Sequence, residues 1–381
     1  MLFRFLSLLL VSVVVLPLAM NGQVTAQQAS SMPGPRIHLI TLHDQTDQEW
    51  AGSYNANIGK ITTLFLNNVP NSELTITHIV KGPNSRPKSC PTHSSGIRRL
   101  TRGECSQGNC EFFIAYHDNS FFPSEFHLTE KPLVKNFSGT RNSDLVKNAL
   151  RSALNEIKVN TNDTVVFYYT GHGEKEIISG NLMYGFKAPL ARNNAGNTRL
   201  QPDKLRSLDV RRTIETKNPR LLVIWSDCCS GYVGTDLGLE ERVVPRVRES
   251  VSDTCLNGAN FFGIDPAFDN LFFKVSGVVE VVASEPGKNA VLYESYGHNN
   301  RRERVYFDVG SVFTTAICET FYADIRNWHD FRTQLTQCAK DHYQEKLREK
   351  ESRTSPLGTT NREDNIGDHA PYFPDGLNGL K

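Results

Sequence analysis

No charge of one sign dominates this chain of 381 residues. Forty-two Lys and Arg stand against 41 Asp and Glu, a net charge of +1, so the overall balance gives no footprint for nucleic acid or for a charged surface. Internal repeats and low-complexity tracts are absent, which removes solenoid and array architectures. A full ligand set at familiar zinc spacing is missing, and no EF-hand-like spacing surrounds scattered acids such as Asp203 and Asp209. No cofactor is therefore called for, and calcium activation is neither required nor excluded. Beyond the N-terminus no apolar run is long enough to span a bilayer.

The N-terminus itself reads as a secretory signal over residues 1–26: Arg4 in a short basic start, an apolar stretch from Leu6 to Met20, and a small-residue cleavage site at Val24-Thr25-Ala26. Pro17 and the shortness of the stretch argue against a permanent membrane anchor, so the expected destination is secreted or periplasmic. The remaining 355 residues (381 minus 26), with an ordinary apolar content of 39%, suit one large α/β domain. Of eight cysteines, Cys90, Cys105 and Cys110 lie near one another in a stretch rich in Gly, Ser and Arg where a local disulfide is plausible in an exported chain. Cys318, within an apolar helical pattern, is expected as a buried thiol.

Along the chain, Ile37 to Leu42 reads as a first strand, Ile58, Ile61, Leu64 and Phe65 as a helix face, and Leu74 to Val80 as a second strand. That is the opening of a doubly wound sheet. Residues 81–110 read as a loop insertion, Glu111 to Tyr116 as renewed order, and Ser143 to Ile157 as an amphipathic helix capped by Ser143. Residues 233–268 form an expected exposed connector containing Arg242, Arg246 and Arg248. Val278 to Ser284 is β-rich, Val312 to Tyr322 and Trp328 to Glu351 are expected helices, and residues 346–381 are a polar tail.

Two segments carry chemistry. Val165 to Thr170 and Leu221 to Ser226 are apolar, β-rich runs, and each stops at a small-residue turn, Gly171-His172-Gly173 in one and Asp227-Cys228-Cys229-Ser230-Gly231 in the other. Alone, the His turn is most simply a strand end whose imidazole caps a backbone group, and the Cys pair two small buried side chains or part of a disulfide or metal site. Together, 57 residues apart (229 minus 172), they fit one helix and a crossover between adjacent parallel strands with both turns at one sheet edge. An imidazole beside a thiol supplies what a cysteine nucleophile needs, a base that generates thiolate and then an acid for the leaving amine.

Tyr169 to Gly173 resembles the histidine turn of the caspase-like peptidases, the clan of caspases, metacaspases, legumains and gingipains. Ser226-Asp227-Cys228-Cys229 resembles the stretch before the metacaspase nucleophile. Val282-Ala283-Ser284, Ala290 to Glu294 and Gly310 to Thr314 are similar, more weakly, to the small-subunit half of that fold. The resemblance implies a caspase-haemoglobinase-like three-layer α/β sandwich over residues 36–345, with a mostly parallel central sheet flanked by helices. It also implies a cysteine endopeptidase acting on protein or peptide substrates. His172 would be the base, Gly173 an oxyanion-hole donor, and Asp227 and Ser284 substrate-binding residues that favour Arg or Lys. Counting from Asp227 and back from Gly231 by the Cys-x-Gly pattern selects Cys229 as nucleophile; counting from Ser230-Gly231 by the metacaspase pattern selects Cys228. An Arg-specific enzyme could also cut itself in the connector. The shortened Cys-Ser-Gly turn motivates the alternative of an inactive caspase-like binding or regulatory module, and His172 with both cysteines that of a metal site.

Overall fold

Five strand-length segments rich in β-branched and apolar residues pair in parallel, and the inner ones are buried on both faces. This is the pattern expected when a sheet is covered by helices on each side. The computed structural model describes residues 34–44, 51–70, 72–83, 110–117, 128–132, 142–176, 179–185, 204–229, 264–288, 290, 292–298, 304–353 and 370–381. In chain order the elements are β1 (Ile37–Asp44), α1 (Ala51–Asn68), β2 (Leu74–Pro83), β3 (Cys110–His117), β4 (Leu128–Pro132), α2 (Asn142–Glu156), β5 (Thr164–Thr170), β6 (His172–Lys175), β7 (Leu182–Gly185) and β8 (Lys204–Arg206). They continue with α3 (Ser207–Glu215), β9 (Leu221–Asp227), α4 (Pro266–Phe268), β10 (Gly277–Val282), β11 (Leu292–His298), β12 (Arg304–Ser311), α5 (Val312–Thr320) and α6 (Trp328–Arg353).

The main sheet runs β10-β9-β5-β1-β2-β3-β4. Its first five strands are mutually parallel, and β3 and β4 are added antiparallel at one side. Two layers of helices cover it. On one face Ile58, Ile61 and Phe65 of α1, Ile317 of α5 and Phe331 of α6 pack on Val166, Val223 and Trp225. On the other, Val146 and Leu150 of α2 and Val210 and Ile214 of α3 pack on Val165, Phe167, Leu222 and Ile224. The chain is thus α/β with a mostly parallel central sheet between helical layers.

The long expected elements are present at nearly the expected bounds. Helix α2 begins at Asn142, so Ser143 lies inside it rather than capping it. His172 does not sit in an open turn: after a single-residue break at Gly171, it opens a second, three-stranded sheet, β6-β7-β8, that strand-length apolar runs gave no hint of. Helix α6 continues past residue 345 to Arg353, and residues 370–381 return to the main sheet. There Tyr372 exchanges both backbone hydrogen bonds with Val282 on the outer edge of β10, at 2.8 and 2.9 Å. The signal segment, Cys90 and Cys105, and the connector arginines lie outside the described residues. Cys318 is a buried thiol.

Candidate active site

Strand register brings the two chemical turns together. Strands β5 and β9 are adjacent and parallel, with Tyr169 opposite Ser226 and Thr170 opposite Asp227, so both chains leave the sheet side by side at the carboxyl edge. Pairing extends one step further, where the Gly171 N–H donates to the Asp227 carbonyl at 3.2 Å. Beyond it Gly173 presses on the cysteine turn. A Cβ there would lie 2.4 Å from both Cys228 Sγ and the Cys229 carbonyl oxygen, a separation no side chain tolerates, so glycine is required by close approach.

The two cysteines divide between the faces of the sheet. Cys228 continues the face of Leu222 and Ile224, is 1% exposed, and packs beneath Gly173 among the residues under α2 and α3. Cys229 continues the face of Val223 and Trp225, is 7% exposed, and its Sγ accepts a hydrogen bond from the Ala290 N–H at 3.3 Å. Ala290 lies in the connection that follows β10. Cys229 therefore meets the neighbouring loop, whereas Cys228, the more buried of the two, lies against Gly173.

His172 is half-buried and held from two sides. The ring of Tyr54, on α1, meets it edge-on with centroids 6.3 Å apart. Its carbonyl accepts from the Tyr169 hydroxyl at 2.7 Å, and the same hydroxyl also lies 2.9 Å from the Gly185 carbonyl, so one phenol ties β6 to β7. Packed on Tyr169 at a tilt of 32°, with ring centroids 4.1 Å apart, is Tyr184, whose hydroxyl pairs with Ser226 at 2.8 Å.

Asp227, expected to bind substrate, is 3% exposed and sits at the centre of a polar cluster. Its Oδ2 is approached by Asn57 Nδ2 at 3.0 Å, the Tyr168 hydroxyl at 2.9 Å, Thr314 Oγ1 at 2.6 Å and the Ser311 hydroxyl. Burial pushes its carboxyl above the ordinary carboxylate range, opposed by the hydroxyls of Ser311, Thr314 and Tyr168 and by the charge of Lys60. The arrangement is lopsided. Four donors crowd one oxygen, while Oδ1 is buried with no hydrogen-bond partner among the described residues.

Ser284, the other expected substrate-binding residue, follows β10 and is fully buried, and its hydroxyl donates to the Lys288 carbonyl at 3.1 Å. That bond closes the turn leading toward Ala290. Next to β5 at the same edge, β1 ends in His43 and Asp44. His43 is buried and its pKa is lowered to about 4 by loss of solvation, partly offset by a hydrogen bond with Asn55. Asp44 forms a buried ion pair with Lys81 of β2 at 3.0 Å. Among the described residues no three His, Cys, Asp or Glu side chains converge as metal ligands.

Sequence reasoning missed the residues that hold the site: Tyr54, Asn57, Tyr168, Ser311 and Thr314. One signal was available. Asn57 stands four residues before Ile61 on the apolar face of α1, where a polar side chain has to be hydrogen-bonded. Compared with known proteins, the chain matches no family model and no curated sequence.

Proposed function

We propose that the chain is a cysteine endopeptidase of the caspase-haemoglobinase-like fold, with Cys229 as nucleophile and His172 as base, cleaving after Arg or Lys. The observation that carries this reading is the pairing of β5 with β9, which delivers His172 and Cys229 to one edge, where Gly173 presses on the Cys228-Cys229 turn. The parallel strands run in the order 2-1-3-4-5 along the sheet when numbered among themselves. In that arrangement ligands bind outside the carboxyl ends, near the point where the order reverses, here between β1 and β5.

His172 takes the proton of Cys229, and the thiolate adds to the scissile carbonyl carbon. Negative charge moves to the carbonyl oxygen, where the N–H groups of Gly173 and Cys229 are the donors assigned to it; one such donor contributes roughly 3 kcal/mol in comparable sites. Collapse of the tetrahedral species breaks the C–N bond as His172 gives its proton to the departing amine, leaving an acyl group on Cys229. Water, deprotonated by His172, then attacks the thioester and releases the acid and the thiol. The counter-charge assigned to a basic side chain preceding the scissile bond is Asp227; its Oδ1 has no hydrogen-bond partner among the described residues but is buried, so this pairing requires the carboxylate to become accessible when substrate binds. Secretion to periplasm or medium suits an enzyme acting on exogenous proteins.

A second reading rests on the burial of Cys229: a nucleophile only 7% exposed suits a binding module that has kept the fold without turnover. Fluorogenic peptides ending in Arg, Lys, Asp or Asn separate the two, tested with and without calcium beside Cys228→Ala and Cys229→Ala. Turnover of Arg or Lys peptides that survives Cys228→Ala and is lost in Cys229→Ala is the expected result. No turnover on any peptide leaves the binding module.

A further inference from the structure

We propose that Asn57 is a positioning residue for the Cys229–His172 dyad, one amide that fixes the two catalytic strand ends relative to each other; the assignment rests on the peptidase reading of the same site. Asn57 is fully buried. Its Nδ2 donates to Thr170 Oγ1 at 2.9 Å and to Asp227 Oδ2 at 3.0 Å. Thr170 is two residues before His172 and Asp227 two residues before Cys229, so a single NH2 group grips both catalytic strands at the same distance from their functional side chains.

The amide oxygen is used as well. Asn57 Oδ1 accepts the Ser311 N–H at 2.7 Å, at the junction of β12 and α5. The chain makes room for it at Gly310, which has φ +96° and where a Cβ would stand 2.4 Å from Oδ1. Donor pair and acceptor are thus committed to three different elements. Aspartate offers no N–H here, leucine no polar atom, and glutamine a longer arm that the close approach at Gly310 does not admit.

One turn earlier on the same helix face, Tyr54 touches the His172 ring. Helix α1 accordingly presents two successive contacts to the site, one on the imidazole and one on the strand ends that carry imidazole and thiol. A displacement of about 1 Å between reacting groups costs on the order of 100-fold in rate. That gives a buried amide joining their two supports leverage over turnover without touching substrate.

The test uses Asn57→Ala, the milder Asn57→Ser, which keeps one hydroxyl donor, and Val69→Ala, a buried truncation just beyond the far end of α1 that serves as a stability control. Melting temperature, peptide turnover and the pH dependence of Cys229 alkylation by iodoacetamide, located by peptide mapping, are measured for each. Among the described residues, Asp227, Lys60, Tyr54, Tyr168, Tyr184 and Cys228 are titratable groups near the two strand ends, and the substitutions add or remove no titratable side chain. In Asn57→Ala the alkylation midpoint is expected to move up toward the roughly 8.5 of an ordinary thiol. Its kcat should fall about 100-fold with KM within about twofold. Asn57→Ser should lie between it and wild type, and Val69→Ala should leave both quantities in place at a comparable loss of melting temperature. An alkylation profile in the Asn57 variants that coincides with that of Val69→Ala overturns the assignment. Wild-type protein that cleaves no peptide, yet shows the upward midpoint shift in Asn57→Ala, removes the peptidase reading and keeps the positioning role.

Discussion

His43 lies at the end of β1, one strand over from His172, and its environment makes it the opposite kind of histidine. His172 is half-buried, whereas complete burial holds His43 neutral down to about pH 4. In the unfolded chain His43 takes up its proton near 6.5, so the unfolded state binds more protons than the folded one between those values. Stability is therefore intact above pH 6.5 and is lost as pH falls toward 4. The difference of 6.5 to about 4 corresponds to about 3 kcal/mol. Asp227 works in the reverse direction. With its folded pKa raised above 3.8, its contribution is present at low pH and declines as pH rises through that value. Urea denaturation across pH 4 to 7 is expected to show the acid-side loss in wild type and a profile flatter by about 3 kcal/mol in His43→Gln. An unchanged slope in the variant would show that His43 does not carry the loss.

Among the elements, the segment 370–381 does more than a polar tail is expected to do. Besides the Val282–Tyr372 pair, Lys381 exchanges two backbone hydrogen bonds with Ser276, each at 3.0 Å, and Asp375 meets Arg211 of α3 at 2.7 Å. Phe373 is buried against the core cluster, and Lys175 of β6 lies over the Tyr372 ring at 5.0 Å. The segment covers the outer edge of β10 and so blocks strand addition by another chain. Loss of several backbone hydrogen bonds at about 1 kcal/mol each and of one buried phenyl at about 2 kcal/mol makes deletion of residues 370–381 cost roughly 4–6 kcal/mol. The truncated chain is expected to melt lower and to self-associate with rising concentration in sedimentation velocity. A truncated monomer of unchanged melting temperature would contradict this.

The same scale explains what could be read from residues alone. Strands β5 and β9 are apolar runs buried on both faces, β1, β2 and β10 are β-rich runs of strand length, and α1, α5 and α6 carry helical periodicity, so their existence was legible before any contact was known. Strands β6, β7 and β8 are only four, four and three residues long. At that length no periodicity distinguishes a strand from a loop, and His172 was therefore expected in a turn. The docked terminus was hidden for another reason: its contacts are backbone hydrogen bonds to β10 and single rings, which leave no pattern in a polar stretch. At the site, residues whose chemistry is intrinsic, His172 and Cys229, stood out. The amide and hydroxyls around Asp227 come from α1, β5, β12 and α5, and only tertiary structure assembles them.

Across the whole molecule, the order of the parallel strands decides where chemistry is possible. Reversal of strand order between β1 and β5 opens the carboxyl edge there, and β9, next to β5, brings the cysteines to the rim. Core packing supports that edge from below: Trp225, two residues before Asp227, stacks on Phe331 of α6 at 6.1 Å and contacts Phe65 of α1 and Phe272. Helices α1 and α6 thus brace the strand that leads into Cys228 and Cys229. The central claim is that Cys229, activated by His172, attacks a carbonyl of a basic peptide. It is tested most directly by incubating the full chain with a peptidyl-arginine acyloxymethyl ketone and mapping the covalent adduct by mass spectrometry, beside His172→Ala and an otherwise identical aspartyl reagent. The account predicts one adduct, on Cys229, formed with the arginyl reagent and lost in His172→Ala; an adduct on Cys228, equal labelling by the aspartyl reagent, or no adduct at all would contradict it.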